Sequence, residues 1–266
     1  MNRYNIEEDG EEMKYNRINE IEAYLRKVKS STNEELLDIF KVSMQTLRRD
    51  LKELEDRKIV SKVYGGVVIN EDDSMKGKTF IDIKLRLSSY LEEKERIGEV
   101  AAKVIEENDV IFVDSGTTAC HIIPYLDKTK NITVVTNSIL AMEALKDCED
   151  MKVILLGGEY CPRIRGFNFD ATHAHYYYSK AFLATVGLSL TRGLTNMDPQ
   201  DGILKRQVIE RSDKVYLMCD SSKIGCVAFN RFADLEMIDA LVTDKLPEVK
   251  YMNYFKKHQI KVITPQ

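Results

Sequence analysis

Ser43, Gln45, Thr46, Arg48, Arg49 and Lys52 fall within ten residues and bring together two hydroxyls, an amide and three cations. Groups of these kinds hydrogen-bond base edges and neutralise phosphates when a single helix face presents them. The spacing supplies such a face. Leu47, Leu51 and Leu54 recur at i, i+4 and i+7, the apolar stripe of a 3.6-residue period. At about 100° per residue, Gln45, Arg49 and Lys52 fall opposite that stripe, flanked by Thr46 and Arg48. Ser43 is placed to cap the helix, its hydroxyl accepting a first-turn N–H. A surface helix that only solvates its charges has the same composition, so the neighbouring elements must decide.

A second set of chemical residues follows short apolar runs: Asp114-Ser115-Gly116-Thr117-Thr118, Thr136-Asn137-Ser138, Gly157-Gly158-Glu159, Gly187 and Asp220-Ser221-Ser222-Lys223. Ser115 to Thr118 offers hydroxyls and backbone N–H groups to an anion, and Gly116 lets the backbone approach closely. The loop lacks the Gly-Lys-Ser/Thr of a P-loop and is no dinucleotide fingerprint. Ordinary capping after a strand is the plainer reading of any one loop. Several such loops converging on one crevice point instead to a phosphorylated small ligand. Arg163 and Arg165 are nearby cations suited to a phosphate or simply to the surface.

The elements around the first set are specific. Thr32 stands three residues before Glu35, the spacing of a capping box, and Leu36, Leu37, Ile39 and Phe40 give that helix an apolar face. Lys41-Val42 leaves only a short turn before Ser43, so helix, turn and helix follow one another as in a helix-turn-helix. Ile59 to Ile69 alternates on either side of Gly65-Gly66, which predicts a hairpin wing with Lys62 and Tyr64 within reach of a phosphate backbone. An earlier helix carries Ile18, Ile21, Tyr24, Leu25 and Val28. Around the second set, the runs at 110–113, 132–135, 153–156, 181–184, 215–218, 241–243 and 261–263 are continuously apolar. With helical patterns between them, they predict a mostly parallel sheet buried on both faces. In open sheets of that kind, ligands bind beyond the carboxyl ends of the strands.

Ser43 to Leu51 followed by Val63-Tyr64-Gly65-Gly66-Val67 resembles the winged helix of the DeoR family of bacterial transcriptional regulators. The resemblance continues through Asp114 to Thr118, Val135-Thr136-Asn137-Ser138, Leu155 to Glu159 and Asp220 to Lys223, and so covers residues 14 to 266. It implies an α/β C-terminal domain similar to ribose-5-phosphate isomerase that binds phosphorylated sugars or related effectors. By that carry-over Asp114, Gly116, Thr117, Thr118, Thr136, Asn137 and Lys205 contact the ligand; Ser115, Gly157, Gly158 and Lys223 join them as strand-end residues. The chain departs from the family at Asp201 and Gly202, where a glutamate and an alanine are usual, and at Phe167 and Phe169.

The expected organisation is an acidic tail over 1–13, a winged helix-turn-helix over 14–70, a connector over 71–90 and the α/β domain over 91–266. Residues 14–70 hold 12 Lys and Arg against 9 Asp and Glu, although the whole chain carries −4. That small excess suits a module used in two or more copies, hence an oligomer on double-stranded operator DNA. Apolar residues make up 44% and charged residues 31%, enough for a sizeable core. The longest apolar run falls short of the roughly 18 residues of a membrane span, and no secretory signal is visible. Five cysteines without paired metal spacing suit a reducing cytoplasm. His173 and His175, two apart on a helical pattern, do not share a face, and neither metal nor cofactor is expected. The expected function is control of a carbohydrate operon, most simply repression. An isomerase with an appended DNA-binding domain and an architectural DNA-binding protein are the alternatives.

Overall fold

In a computed structural model of the 266-residue chain, residues 17–56, 59–63, 66–70, 83–148, 151–168 and 176–265 are described. Readings that fall on the tail over 1–13, most of the connector, Tyr64, Gly65, Phe169, His173 and His175 lie outside them. The contacts divide the chain into two compact units at Tyr90/Leu91.

The first unit opens with α1 (17–28), β1 (Ser30–Thr32), α2 (Asn33–Phe40) and α3 (Met44–Asp56). It continues with β2 (Val60–Val63), β3 (Gly66–Ile69) and α4 (Ile83–Ser88). The Thr32 hydroxyl accepts from the Glu35 N–H (3.1 Å) while the Glu35 carboxylate accepts from the Thr32 N–H (3.0 Å), so the expected capping box is complete. Lys41 ends α2 in the left-handed region (φ 50°) and turns the chain into α3. Leu36, Leu47, Leu51 and Leu54 meet Ile21 and Leu25 of α1 in one core. Ile39 departs from its expected place and is 46% exposed, because Leu36 and Phe40, one turn apart, form the inward stripe. Val63 pairs with Gly66, so Gly66 begins β3 and is not a turn residue; β1 adds a third strand on the other side of β3.

The second unit begins with α5 (Leu91–Ala102), β4 (Val110–Val113), β5 (Thr133–Thr136), α6 (Ile139–Leu145) and β6 (Lys152–Leu155). A short hairpin of β7 (Glu159–Cys161) and β8 (Gly166–Asn168) precedes β9 (Tyr178–Ala184), β10 (Gly187–Ser189) and β11 (Gly193–Asn196). Then come α7 (Pro199–Glu210), β12 (Ser212–Met218), β13 (Asn230–Ala233), β14 (Ala240–Val242), α8 (Val249–Lys257) and β15 (Lys261–Ile263). Seven strands form a parallel sheet in the order β15-β14-β12-β9-β4-β5-β6.

Alternate residues along a strand enter different cores: Ile111 and Val113 join one, Phe112 the other; Phe182 joins the first and Leu183 the second. Burial on both faces is what the continuous apolar runs require. From β4 the chain steps outward to β5 and β6, then returns to the other side of β4 with β9, β12, β14 and β15. That reversal opens a crevice at the carboxyl ends of β4 and β9. β10, β11 and β13 form a separate antiparallel sheet that the apolar runs did not predict.

Candidate functional site

On α3 the Ser43 hydroxyl accepts the Thr46 N–H (3.1 Å) and also meets the Thr46 hydroxyl (2.9 Å). Both side chains are therefore committed to starting the helix. Leu47, Asp50, Leu51 and Leu54 are buried, and Gln45, Arg48, Arg49 and Lys52 are exposed. Among the described residues none of those three cations pairs with a carboxylate, so their charge is available to a phosphate. Lys62 lies 2.9 Å from Glu55, both partly exposed. A pair of that kind holds only about 0–1 kcal/mol and can give way to a stronger anion. Sequence reasoning missed what fixes the helix: Asp50, 1% exposed, takes both Arg17 Nε (2.6 Å) and Nη2 (3.1 Å). The fork ties α1 to α3 from 33 residues away, and no local pattern signals it.

At the β4/β9 crevice, Asp114 directly follows β4 and is fully buried. Its Oδ2 accepts from the Ala184 N–H (2.9 Å) and from Lys205 Nζ (2.9 Å). Lys205, reaching in from α7, also donates to the Ala184 carbonyl (2.8 Å) and lies 3.3 Å from Asp201 Oδ2. With hydrogen bonds to Asp114 and Ala184 and an ion pair to Asp201, Lys205 organises the two carboxylates. Asp114 Oδ1 and Asp201 Oδ1 are both buried without a partner. Burial pushes the Asp201 carboxyl above its usual range; Lys205 pulls it down, and the Asp114 charge pushes it up again. Lys205 is itself raised, since the two carboxylates outweigh its burial.

The loop from Ser115 to Thr118 runs beside these carboxylates. A Cβ on Gly116 would lie 2.2 Å from the Ala184 Cβ, so glycine is what lets the loop press against the end of β9. Ser115, Thr117 and Thr118 are at most 6% exposed, and their hydroxyls have no protein partner among the described residues. Open carboxylate oxygens and unpartnered hydroxyls thus lie together at the carboxyl ends of β4 and β9.

The remaining expected residues separate into groups. Thr136 donates its hydroxyl to the Val113 carbonyl (2.6 Å) and accepts from the Ser138 N–H (3.0 Å), closing β4 onto β5. Asn137 is fully buried; its side-chain amide nitrogen donates to the Phe167 carbonyl (2.9 Å), its backbone carbonyl accepts the Phe167 N–H (2.9 Å), and its Oδ1 is left without a partner. A Cβ on Gly166 would lie 2.7 Å from the Asn137 carbonyl oxygen and 2.9 Å from Ser115 Cβ. The β7–β8 hairpin is therefore seated directly on the Asn137 and Ser115 loops, with Phe167 against Tyr160 across it (5.8 Å). Gly157 and Gly158 are exposed beyond the edge strand β6, and Lys223 lies on the loop after β12. β6 is two positions from β4, about 10 Å at ordinary strand spacing, whereas β12 is the neighbour of β9. Asn196 and Asn230 were missed: Asn196 donates to Asp201 Oδ2 (2.7 Å) and accepts from Asn230 (3.1 Å). Among the described residues no three His, Cys, Asp or Glu side chains gather as metal ligands, and no helix is long and apolar enough to cross a membrane.

Known proteins agree with both halves. Residues 17–73 match the DeoR-like helix-turn-helix domain, and residues 89–245 match the DeoR C terminal sensor domain. The transcriptional regulator IolR of Bacillus subtilis (strain 168) is 33% identical over 93% of this chain and 98% of its own. The glycerol-3-phosphate regulon repressor of Escherichia coli (strain K12) is 32% identical over 87% of this chain and 91% of its own. A ribose 5-phosphate isomerase A from Methanocaldococcus jannaschii overlaps 51% of this chain and 55% of its own at 17% identity, with a TM-score of 0.39, too slight a likeness to argue from. The chain belongs to the DeoR family: it is a DNA-binding transcriptional regulator whose winged helix-turn-helix is followed by an α/β sensor domain.

Proposed function

We propose that this regulator represses a carbohydrate operon and releases it when a phosphorylated sugar or polyol enters the β4/β9 crevice. The observation that carries this reading is the unpaired chemistry there. Asp114 Oδ1 and Asp201 Oδ1 are buried acceptors without donors, beside three hydroxyls without partners. Buried acceptors left open like the two Oδ1 atoms are costly, and a ligand bearing hydroxyls at one end and phosphate at the other satisfies both sides. The relatives' names point the same way, among them a glycerol-3-phosphate regulon repressor and a lactose phosphotransferase system repressor. Asp114, Ser115, Gly116, Thr117, Thr118 and Asp201 line the ligand in this reading, and Lys205 and Thr136 hold the lining in place.

On the DNA side, Arg48, Arg49, Lys52 and Gln45 meet base edges and phosphates of a double-stranded operator, and Lys62 exchanges Glu55 for a phosphate. The protein acts in the cytoplasm as an oligomer, so that two or more winged helices share one operator. Catalysis has no part in this reading, in which the cluster of Asp114, Lys205 and Asp201 binds ligand hydroxyls; a ketose assay on ribose 5-phosphate checks that. Thermal melting against phosphorylated sugars and their unphosphorylated forms tests the sensor. A ligand at 100 times its dissociation constant adds roughly 2.7 kcal/mol, so one phosphorylated compound is expected to raise the melting temperature. A flat response across the panel contradicts the reading.

A further inference from the structure

We infer that Asn196 and Asn230 are positioning residues that aim the Asp201 carboxylate at ligand hydroxyls, and so select phosphates of uncharged polyols over phosphorylated acids. The inference rests on the sensor reading above and adds to it the residues and charge that set its selectivity. Three segments far apart in sequence meet here: the end of β11 (Asn196), the first turn of α7 (Asp201, Gly202) and the start of β13 (Asn230).

A side-chain amide has one accepting oxygen and one donating nitrogen, and its orientation is set by its neighbours. Asn230 donates to Asn196 Oδ1 at 3.1 Å. With its oxygen so engaged, Asn196 must turn its NH₂ toward Asp201, where it reaches Oδ2 at 2.7 Å. Lys205 claims that same Oδ2 at 3.3 Å. Both grips fall on one oxygen, and Oδ1 is left open and buried. Asp114 repeats the arrangement, with Lys205 and the Ala184 N–H on Oδ2 and nothing on Oδ1. Without Asn196, only the longer contact to Lys205 would hold Asp201, and either oxygen could take it.

Gly202 is part of the same device. A Cβ there would lie 2.2 Å from Asn230 Nδ2 and 3.3 Å from Asn196 Oδ1. The missing side chain makes the room in which the Asn230 amide sits. Asn196 and Asp201 are 2% and 5% exposed, so the chain of amides is buried where it acts.

The charge balance names the ligand class. Two carboxyl groups face one ammonium whose contacts on both Oδ2 atoms favour the ionised form, in which each open Oδ1 can only accept. Open Oδ1 atoms therefore welcome hydroxyl donors and repel a ligand carboxylate. A phosphorylated polyol or sugar with at least two hydroxyls fits; a phosphorylated hydroxy acid does not.

The test compares melting shifts of the full-length wild type and its variants with inorganic phosphate, sn-glycerol 3-phosphate, ribose 5-phosphate, fructose 1-phosphate, glucose 6-phosphate and 3-phosphoglycerate. In the wild type at least one polyol phosphate is expected to exceed inorganic phosphate, and 3-phosphoglycerate not to. Asn230→Asp keeps the shape but must accept from Asn196, which turns the Asn196 oxygen toward Asp201. It is expected to weaken the favoured polyol phosphate by about tenfold or more, leaving the inorganic phosphate shift unchanged; Asn230→Ala should act likewise. Unchanged polyol phosphate binding in both variants overturns the positioning role. Tighter binding of 3-phosphoglycerate than of every polyol phosphate overturns the selectivity, and so does a panel in which no polyol phosphate exceeds inorganic phosphate. In that last case the anion side of the sensor reading survives if inorganic phosphate itself shifts the melt, whereas no shift with any compound removes both. Gly202→Ala should melt lower than wild type and Gly202→Ala with Asn230→Ala should recover. Gly202→Ala melting like wild type would show that the amide does not need that space.

Discussion

Two buried lysines stand at opposite ends of β4 and β9, and their surroundings differ in completeness. At the amino end, Lys180 Nζ lies 2.6 Å from Asp109 Oδ2 and 2.8 Å from Glu106 Oε2. Asp109 also takes the Ser179 hydroxyl on Oδ1 (2.7 Å) and the Glu106 N–H on Oδ2 (2.7 Å), so neither oxygen is idle. At the carboxyl end, Lys205 grips Oδ2 of Asp114 and of Asp201 and leaves both Oδ1 atoms open. Both clusters bury charge; only one leaves acceptors unmet. A closed cluster holds strands together, whereas an open one costs stability that a ligand can restore.

The largest expected effect comes from removing the lysines. Lys205→Met leaves two fully enclosed carboxylates facing each other and should cost about 3–5 kcal/mol in urea unfolding. Lys180→Met should cost less, about 1–3 kcal/mol, because Asp109 keeps its Ser179 and Glu106 donors and Glu106 is 80% exposed on its side chain. Equal losses would break the distinction.

Acid sharpens it. Burial alone would raise Asp109, but Lys180, the Glu106 N–H and Ser179 outweigh it and hold the carboxyl below its usual value. Its contribution is therefore present above the unfolded value and lost as pH falls through the folded one. Asp201 is shifted the other way, chiefly by burial. Its contribution is complete below the unfolded value and lost as pH rises through the folded one. Unfolding free energies measured down through the carboxylate range, about pH 3–5, should fall less steeply in Asp109→Asn and more steeply in Asp201→Asn than in the wild type. The same direction of change in both variants would contradict the opposed shifts.

An exposed pair marks the small end of the scale. Glu55→Ala removes the partner of Lys62 and should change stability by less than about 1 kcal/mol. Affinity for promoter DNA should hold or rise as Lys62 is released, and a clear drop in that affinity would assign Glu55 a different part. Between these extremes, Arg48→Ala with Arg49→Ala should abolish promoter binding in a gel-shift assay while the melting temperature stays near that of the wild type, since both side chains are exposed and unpaired among the described residues.

Much of this arrangement was readable from local pattern. Thr32 and Glu35 announce a helix start because the capping box is a matter of three-residue spacing. The strands of the parallel sheet were visible because residues buried on both faces leave unbroken apolar runs. Short strands such as Ser30–Thr32, Gly187–Ser189 and Gly193–Asn196 carry no such run. Asp114, Ser115 and Thr117 stood out by type and by position after a strand. Their partners did not: Asp114 meets Lys205 across 91 residues and Asn196 meets Asn230 across 34. Gly202 was visible as a departure from the family, but its reason, the amide of Asn230, exists only in three dimensions. The strand-end rule also gathered residues at unequal distances: Gly157 and Gly158 follow the edge strand β6, two places from β4, whereas Lys223 follows β12, which pairs with β9.

The most direct test couples the two halves in a single titration. Fluorescence anisotropy of the labelled upstream promoter, bound to wild type or to Asp114→Asn, would be followed as phosphorylated sugars and polyols are added. Equal starting affinity for DNA is expected, with one compound releasing the wild type and leaving Asp114→Asn bound. Release of Asp114→Asn at the wild-type concentration, or no release of the wild type by any compound, would contradict the assignment of the open carboxylates as the sensor.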